Sequence, residues 1–344
     1  MVDIARMLSV SPATVSLAIH NKSGVSEKVR ADVLRACEEL GYSLEKDNKG
    51  QNPLGRLLRL VIYKKDGQTI GDTPFFAELI EGIENEAKLK GYELLISYFN
   101  KKSDLDDVLD RIINNDDVTG MILLATEMAA EDLKPFVDLK CPLVILDNFF
   151  NKTEITADYV LIDNVNGMYN MTECMIANGH RSIGYVKSVS EINNYRERMN
   201  GYRMALADYG VSYEPKYVFE VGASFDTAYE GMLYWLNTGH ELPDALVVDN
   251  DLICYGVMKA LNEKGIRVPE DISVGGFDEM SYFGLEELGL STVRVYKRAM
   301  GQTAVRQLVQ SVEDEQRDGK EYSVVIRMRT DLVKKNSIKS LVLA

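Results

Sequence analysis

Apolar positions in the first forty residues recur three and four apart in three short bursts: Ile4, Ala5 and Leu8; then Val15, Ala18 and Ile19; then Val29, Val33, Ala36, Cys37 and Leu40. That spacing puts each burst on one face of a short helix. Ser11 followed by Pro12 starts the second helix, with a side-chain oxygen at the cap and Pro at the first helical position. Residues 21–24 make a turn, Ser26 caps the third helix, and Gly41 stops it. From residue 57 the rhythm changes. L-L-R-L-V-I-Y reads as a buried strand, F-F-A-E-L-I-E-G-I-E-N-E-A-K-L-K as a helix and Y-E-L-L-I-S-Y as the next strand. The alternation restarts at Y-V-L-I-D-N and runs through R-S-I-G-Y-V and A-L-V-V-D-N-D to I-S-V-G-G-F-D-E. Repetition of this kind builds parallel sheets covered on both faces. The predicted fold class is therefore α/β: a small all-α headpiece, then two lobes with a parallel sheet each and a cleft at the strand C-termini.

Three short helices joined by tight turns describe a helix-turn-helix unit, whose second helix enters the DNA major groove. Its outward face presents Thr14, Ser16, Leu17, His20 and Asn21. Short hydroxyls there reach phosphates and base edges, and Leu17 suits a thymine methyl. Any small three-helix bundle also has a polar face, so pattern alone leaves both readings open. The net charge of −14 counts against nucleic acid until its distribution is examined. Residues 1–60 hold nine Lys/Arg against seven Asp/Glu, which leaves +2 there and −16 in the remainder. A mildly basic module is joined to an acidic body. At 344 residues the chain exceeds one ordinary core. The opening M-V-D-I-A-R is charged and lacks a greasy leader, which points to the cytoplasm, and no apolar run reaches membrane length. Cys37, Cys141, Cys174 and Cys254 lie far apart and read as buried, reduced thiols.

The words of the headpiece go further. D-I-A-R-M-L-S-V-S-P-A-T-V-S-L-A-I-H-N-K-S-G-V-S-E-K-V-R closely resembles the headpiece of the LacI (lactose-repressor) family of bacterial transcription regulators, which shows D-V-A-x-x-A-G-V-S-x-x-T-V-S-x-x-L-N and then V-S-x-x-T-R. The resemblance implies that Ser11, Pro12, Ala13, Thr14, Ser16, Leu17 and His20 face double-stranded DNA, with Pro12, Ala13 and Leu17 at the positions that choose the operator. It makes Ser26 a phosphate contact at a helix N-terminus. Two departures stand out. The chain starts directly on the first helix, where family members carry a few more residues. At residues 45–56, E-K-D-N-K-G-Q-N-P-L-G-R replaces the family's Ala-rich hinge helix. Gln51 stands where the family places a Leu wedge, and Gly50, Pro53 and Gly55 disfavour a helix. A flexible linker is expected there.

The body from residue 57 resembles the family's effector domain, which shares the fold of periplasmic sugar-binding proteins. T-P-F-F-A-E-L (73–79), V-I-L-D-N (144–148), R-M-N-G-Y (198–202), V-D-N-D (248–251) and G-G-F-D-E (275–279) carry the likeness. It nominates Phe75, Phe76, Asp147, Arg198, Asn250 and Asp278 as cleft residues, with Tyr296 as a further member. Their chemistry suits a sugar. Aromatic rings stack on C–H faces, carboxylates accept from hydroxyl pairs, Arg198 gives a forked donation, and Asn250 does both. A purine uses similar parts. The expected layout is a headpiece over 1–44, a linker over 45–56, and an effector domain over 57–334. Lobe 1 spans about 57–160 and 295–322, lobe 2 about 161–294 and 323–334 with a last strand near 324–330, and a tail follows over 335–344. That tail leaves little room for a tetramer-forming coil, so a homodimer on a near-palindromic operator is expected. His180, in N-G-H-R-S-I, reads as packing or bonding at a helix end. Asp147 with Asp278 invites an acid/base thought, but no nucleophile–base pair, phosphate loop or metal-spaced cluster accompanies them. The chain is read as a non-enzyme without cofactor or metal. The rival reading is a cytoplasmic sugar-binding protein with a vestigial headpiece.

Overall fold

A helix starts where Ser11 meets Pro12. In the computed structural model, which describes residues 5, 7, 8, 10–19, 25–39, 56–65, 74–101, 104, 106–114, 117–151, 155–280, 289–318 and 322–342, Ser11 Oγ accepts from the backbone N–H of Thr14 at 3.0 Å and caps α1 (Pro12–Ile19). Ser26 Oγ accepts from Val29 N–H at 3.4 Å and caps α2 (Glu27–Glu39). Val15, Ala18, Val33, Ala36, Cys37 and Ala5 form a small core, with Leu8, Val10, Val25 and Val29 packed against it. The Arg30 guanidinium donates to the Ala18 carbonyl at 3.2 Å and ties the end of α1 to α2. The turn at 21–24, Leu40, Gly41 and the linker as far as residue 55 lie outside the described residues. This unit, Met1–Pro53, is distinct from Leu54–Ala344.

The second unit opens with β1 (Leu57–Lys64). Leu58, Leu60 and Ile62 face one core while Val61 and Tyr63 face another, the period-2 pattern of a strand covered on both sides. There follow α3 (Pro74–Leu89), β2 (Glu93–Asn100), α4 (Asp106–Ile113), β3 (Val118–Leu124), β4 (Leu143–Leu146) and β5 (Asp158–Ile162). Then come α5 (Asn164–Ala177), β6 (Ile183–Ser188), α6 (Asn193–Asp208), β7 (Val218–Val221), α7 (Phe225–Asn237), β8 (Ala245–Val248), α8 (Asp251–Glu263) and β9 (Ser273–Gly275). The chain ends through β10 (Thr292–Arg294), α9 (Lys297–Asp318), β11 (Val325–Met328) and β12 (Asp331–Val333). Among the described residues, one parallel sheet runs β11-β5-β4-β3-β1-β2 and a second runs β7-β6-β8-β9. In both, the first strand lies inside the second, so the strand order reverses at β1/β3 and at β6/β8, where α/β sheets open their ligand crevices.

Three segments depart from the expected layout. Y-V-L-I-D, read as the start of the second lobe, is β5 and belongs to the first sheet beside β4. The strand near 324–330, assigned to the second lobe, is β11, and it pairs with β5. The cause is Asp158, a buried carboxylate that accepts from Val324 N–H (2.8 Å), Ser311 Oγ (2.6 Å) and Gln307 Nε2 (2.9 Å). It draws β11 and α9 to the edge of the first sheet. The expected tail is also built in. Val274 N–H donates to the Ser337 carbonyl at 2.9 Å, and Ser337 Oγ donates to the Val274 carbonyl at 2.6 Å. Residues 336–339 thus lie along β9, and Ser337 is fully buried.

Among the described residues no helix is long and apolar enough to cross a membrane. Close helix packing depends on glycine at α5/α6, where a Cβ on Gly201 would stand 2.1 Å from the Val165 carbonyl oxygen. Gly201→Ala therefore forces the helices apart and should destabilise the domain by about 1–3 kcal/mol. Thermal unfolding would show this as a melting point several degrees lower.

Candidate functional site

Strand ends supply most of the site. Thr126 follows β3, Asp147 follows β4, Asn164 opens α5 after β5, Asn250 follows β8, and Asp278 follows β9. Helix α6 adds Asn194, Tyr195 and Arg198, all buried, with Arg198 four positions after Asn194 and three after Tyr195 and so beside both. Phe75 and Phe76, at the start of α3, close another wall. All of these side chains but Asn164, with Ile162, Ile192 and Met280, line one cavity. The centre of a water molecule reaches only about 40 Å³ of it, room for roughly three waters. The jaws are nearly shut.

Two carboxylates face this cavity from strained backbone. Asp147 has φ 66° and Asp278 φ 102°, and the only other non-glycine residue in that region among the described residues is the neighbouring Glu279. Left-handed residues of this kind persist where surrounding structure holds them, and they cluster at functional sites. Asp147 accepts from Thr126 Oγ1 at 2.6 Å and from Asn194 Nδ2 at 2.9 Å. Burial pushes its carboxyl up to about 6, against the lowering effect of those two donors. Asp278 Oδ1 accepts from Arg198 at 3.0 Å. Burial raises its carboxyl too, with Arg198 opposing.

Arg198 is 3% exposed. Its Nε donates to Asn164 Oδ1 at 2.9 Å, one terminal nitrogen to the Asp249 carbonyl at 2.6 Å, and the other to Asp278. The guanidinium lies 3.8 Å from the centroid of the Phe277 ring. Burial works against its charge, yet Asp278 and the groups around it outweigh that and raise its pKa. Asp249, behind it, accepts from Tyr185 Oη at 2.5 Å and from Ser188 N–H at 2.6 Å, and burial holds its carboxyl up to about 7. Asp251 is held up to about 7 for the same reason, with Thr292 Oγ1 at 2.7 Å and Met280 N–H at 2.8 Å as donors.

The structure brings six of the seven nominated cleft residues together. Phe75 and Phe76 are both buried and meet edge to face, centroids 5.0 Å apart and planes at 70°. Asn250 is partly committed elsewhere. Its Oδ1 caps α8 through Ile253 N–H at 2.9 Å, and its amide donates to Tyr195 Oη at 2.9 Å. Tyr296 does not join them. It is 41% exposed, bonds Asp331, and lines a separate cavity with Arg294 and Lys297. The antiparallel pairing of β10 with β12 turns it away. Thr126, Asn164, Asn194, Tyr195 and Asp249 went unnominated. Asn194 and Arg198 stand four apart in N-Y-R-E-R, a spacing that places them side by side, and Asp249 lies within V-D-N-D.

In the headpiece, Ser11 and Thr14 bond each other, Oγ to Oγ1, at 2.8 Å. Ser11 and Ser26 are exposed, Thr14 and Leu17 half-buried. Pro12, Ala13 and Ser16 lie on α1, their side chains outside the described residues, as is the whole of His20. His180 is buried at the end of α5, where its Nε2 donates to the Lys339 carbonyl at 3.2 Å, and burial lowers its pKa.

Two family descriptions match the chain: bacterial regulatory proteins of the lacI family over residues 1–44, and the periplasmic binding protein-like domain over residues 172–338. The chain is 29% identical over 318 residues to the ribose operon repressor of Haemophilus influenzae, covering 91% of this chain and 92% of that protein. It is 27% identical over 344 residues to the HTH-type transcriptional repressor PurR of Aliivibrio salmonicida, covering 98% of each. Among solved structures it is similar to a transcriptional regulator CelR–cellobiose complex, with a TM-score of 0.72 and 26% identity over 97% of this chain and 98% of that one.

The raised carboxyl of Asp147 carries a stability signature. Between the ordinary carboxylate pKa and about 6 the folded chain binds this proton and the unfolded chain does not, so the contribution is present in acid and lost as pH rises through that window. The full span corresponds to about 2–3 kcal/mol. Asp147→Asn keeps the shape and removes the titration. Its melting point relative to wild type should be level near pH 4 and several degrees higher above pH 7, as differential scanning calorimetry would show.

Proposed function

The chain belongs to the lacI family of bacterial regulatory proteins, and from that premise we propose a regulator, acting as a repressor, whose α1 reads an operator and whose inner cavity takes a sugar. The observation that carries the ligand reading is the pair of left-handed carboxylates, Asp147 and Asp278, converging on one cavity beside Phe75 and Phe76. Acceptors placed in pairs suit the vicinal hydroxyls of a sugar. The two Phe planes stand at 70° to each other. They cradle a puckered ring with C–H faces, whereas a flat purine prefers parallel walls. The relatives named for ribose and the cellobiose-bound neighbour favour the same class, while the PurR relatives keep nucleobases in the test.

Entry of any sugar requires the lobes to part, because the cavity holds only a few waters. The Asp147–Asn194 bond spans that gap. Asp147 stands at the end of the first sheet, and α6 is anchored to the second through Tyr202 Oη, which donates to the Ile183 carbonyl at 2.7 Å. A ligand that replaces this bond resets the angle between the lobes. A coupling of about 1–3 kcal/mol changes operator affinity by roughly 5–150-fold. One headpiece makes too few base contacts for useful specificity, so a two-fold dimer on a near-palindromic site is the working form.

A thermal-shift screen against sugars and nucleobases tests the ligand class, since saturating ligand stabilises the folded state. A sugar should raise the melting point; a response to nucleobases alone would overturn the reading. Arg198→Ala leaves Asp278 without its counter-charge and lowers basal stability by about 3–5 kcal/mol. The informative quantity is therefore the ligand-induced increment, which should fall because Asp278 loses the partner that positions it, while basal DNA binding persists. Fluorescence anisotropy with promoter DNA checks the headpiece. Leu17→Arg should change operator preference more than affinity at matched salt, and absence of salt-dependent binding by micromolar dimer would leave only a sugar-binding protein.

A further inference from the structure

An arginine in a sugar cleft is expected to offer its fork to the ligand. Here the fork is divided among protein acceptors: each of the three guanidinium nitrogens of Arg198 already donates, to Asn164, to the Asp249 carbonyl and to Asp278, and one face of the group is covered by Phe277. The neutral donors are partly engaged. Thr126 and Asn194 both give to Asp147, and the Asn250 amide gives to Tyr195. By charge, the cavity lining sets two carboxylates, Asp147 and Asp278, against one guanidinium. Asp147, 2% exposed, is bonded to uncharged donors, and Asp278 is paired with Arg198, the one arginine lining this cavity.

We infer that the chamber recognises its effector through the effector's own hydrogen-bond donors, with Asp147 and Asp278 acting as a charge filter that rejects sugars bearing a phosphate or carboxylate. This rests on reading the cavity as the effector site. A second anion beside these carboxylates meets repulsion in a medium that screens poorly, and the charge of the one guanidinium lining the cavity is already balanced by Asp278. Hydroxyls, by contrast, supply what Asp147 now takes from Asn194.

Isothermal titration of the full chain with matched probes tests this: ribose against ribose 5-phosphate, glucose against glucose 6-phosphate and glucuronate, and cellobiose as a longer neutral ligand. The neutral member of a pair should bind at least 100-fold more tightly than its anionic counterparts. Asp278→Asn releases one edge of Arg198 and should cut that discrimination at least tenfold, chiefly by improving the anionic ligand. Asp147→Asn should shift the ratio in the same direction. The wild-type ratio decides the matter even where a variant folds poorly. An anionic sugar binding as tightly as its neutral partner overturns the charge filter and leaves the sugar reading intact. No binding by any of these sugars overturns that reading and this inference with it.

Discussion

A guanidinium sealed from water needs acceptors from several directions, and Arg198 draws them from three strand ends. Asn164 comes from the end of β5, Asp249 from β8 and Asp278 from β9. An uncompensated charge in that position is strongly destabilising, so the network fixes how far apart these strand ends sit. Gly201, one turn along the same helix, lets α6 approach α5 closely enough for Arg198 to meet Asn164. The ion pair and the helix packing are one constraint seen from two sides.

The same constraint explains why the site is poised. Asp147 lies across the cavity from this network and is held by Thr126 and Asn194, both uncharged. One wall is therefore locked by a full ion pair and the other by neutral bonds that a hydroxyl reproduces. Closure without ligand leaves a carboxylate buried and raised to about 6. On the proposed reading, ligand donors relieve that cost, and the relief is the source of differential affinity that any switching mechanism requires.

In the headpiece the hydroxyl groups serve first as caps. Ser11 and Ser26 satisfy N–H groups at the starts of α1 and α2, which orients the exposed helix ends. Arg30 is bonded to the Ala18 carbonyl, so a basic residue of a basic module works inside the fold. Capping and DNA contact are compatible, because a helix N-terminus fixed by its cap also presents oriented amides to phosphate.

Much was legible from residue order alone. Helix stripes such as Val15/Ala18 and Val33/Ala36/Cys37 and the buried strands follow from periodicity, a local property of the chain, whereas the grouping of Phe75, Phe76, Asp147, Arg198, Asn250 and Asp278 was legible only through the resemblance of short motifs to the family's cleft. Partner choice is not local. Continuous apolar runs such as Y-V-L-I and V-V-I-R pair with whatever strand arrives, and the buried carboxylate of Asp158 ties β11 and α9 to β5 at the edge of the first sheet. Tyr296 faces away because β12 pairs with β10. Whether Arg198 reaches a ligand or its own protein was likewise set by tertiary structure, since its acceptors lie 34, 51 and 80 residues away along the chain. Sequence determines what each segment is able to form and which groups it carries; distance in space, closed by packing and by buried charges that demand partners, decides what those groups touch.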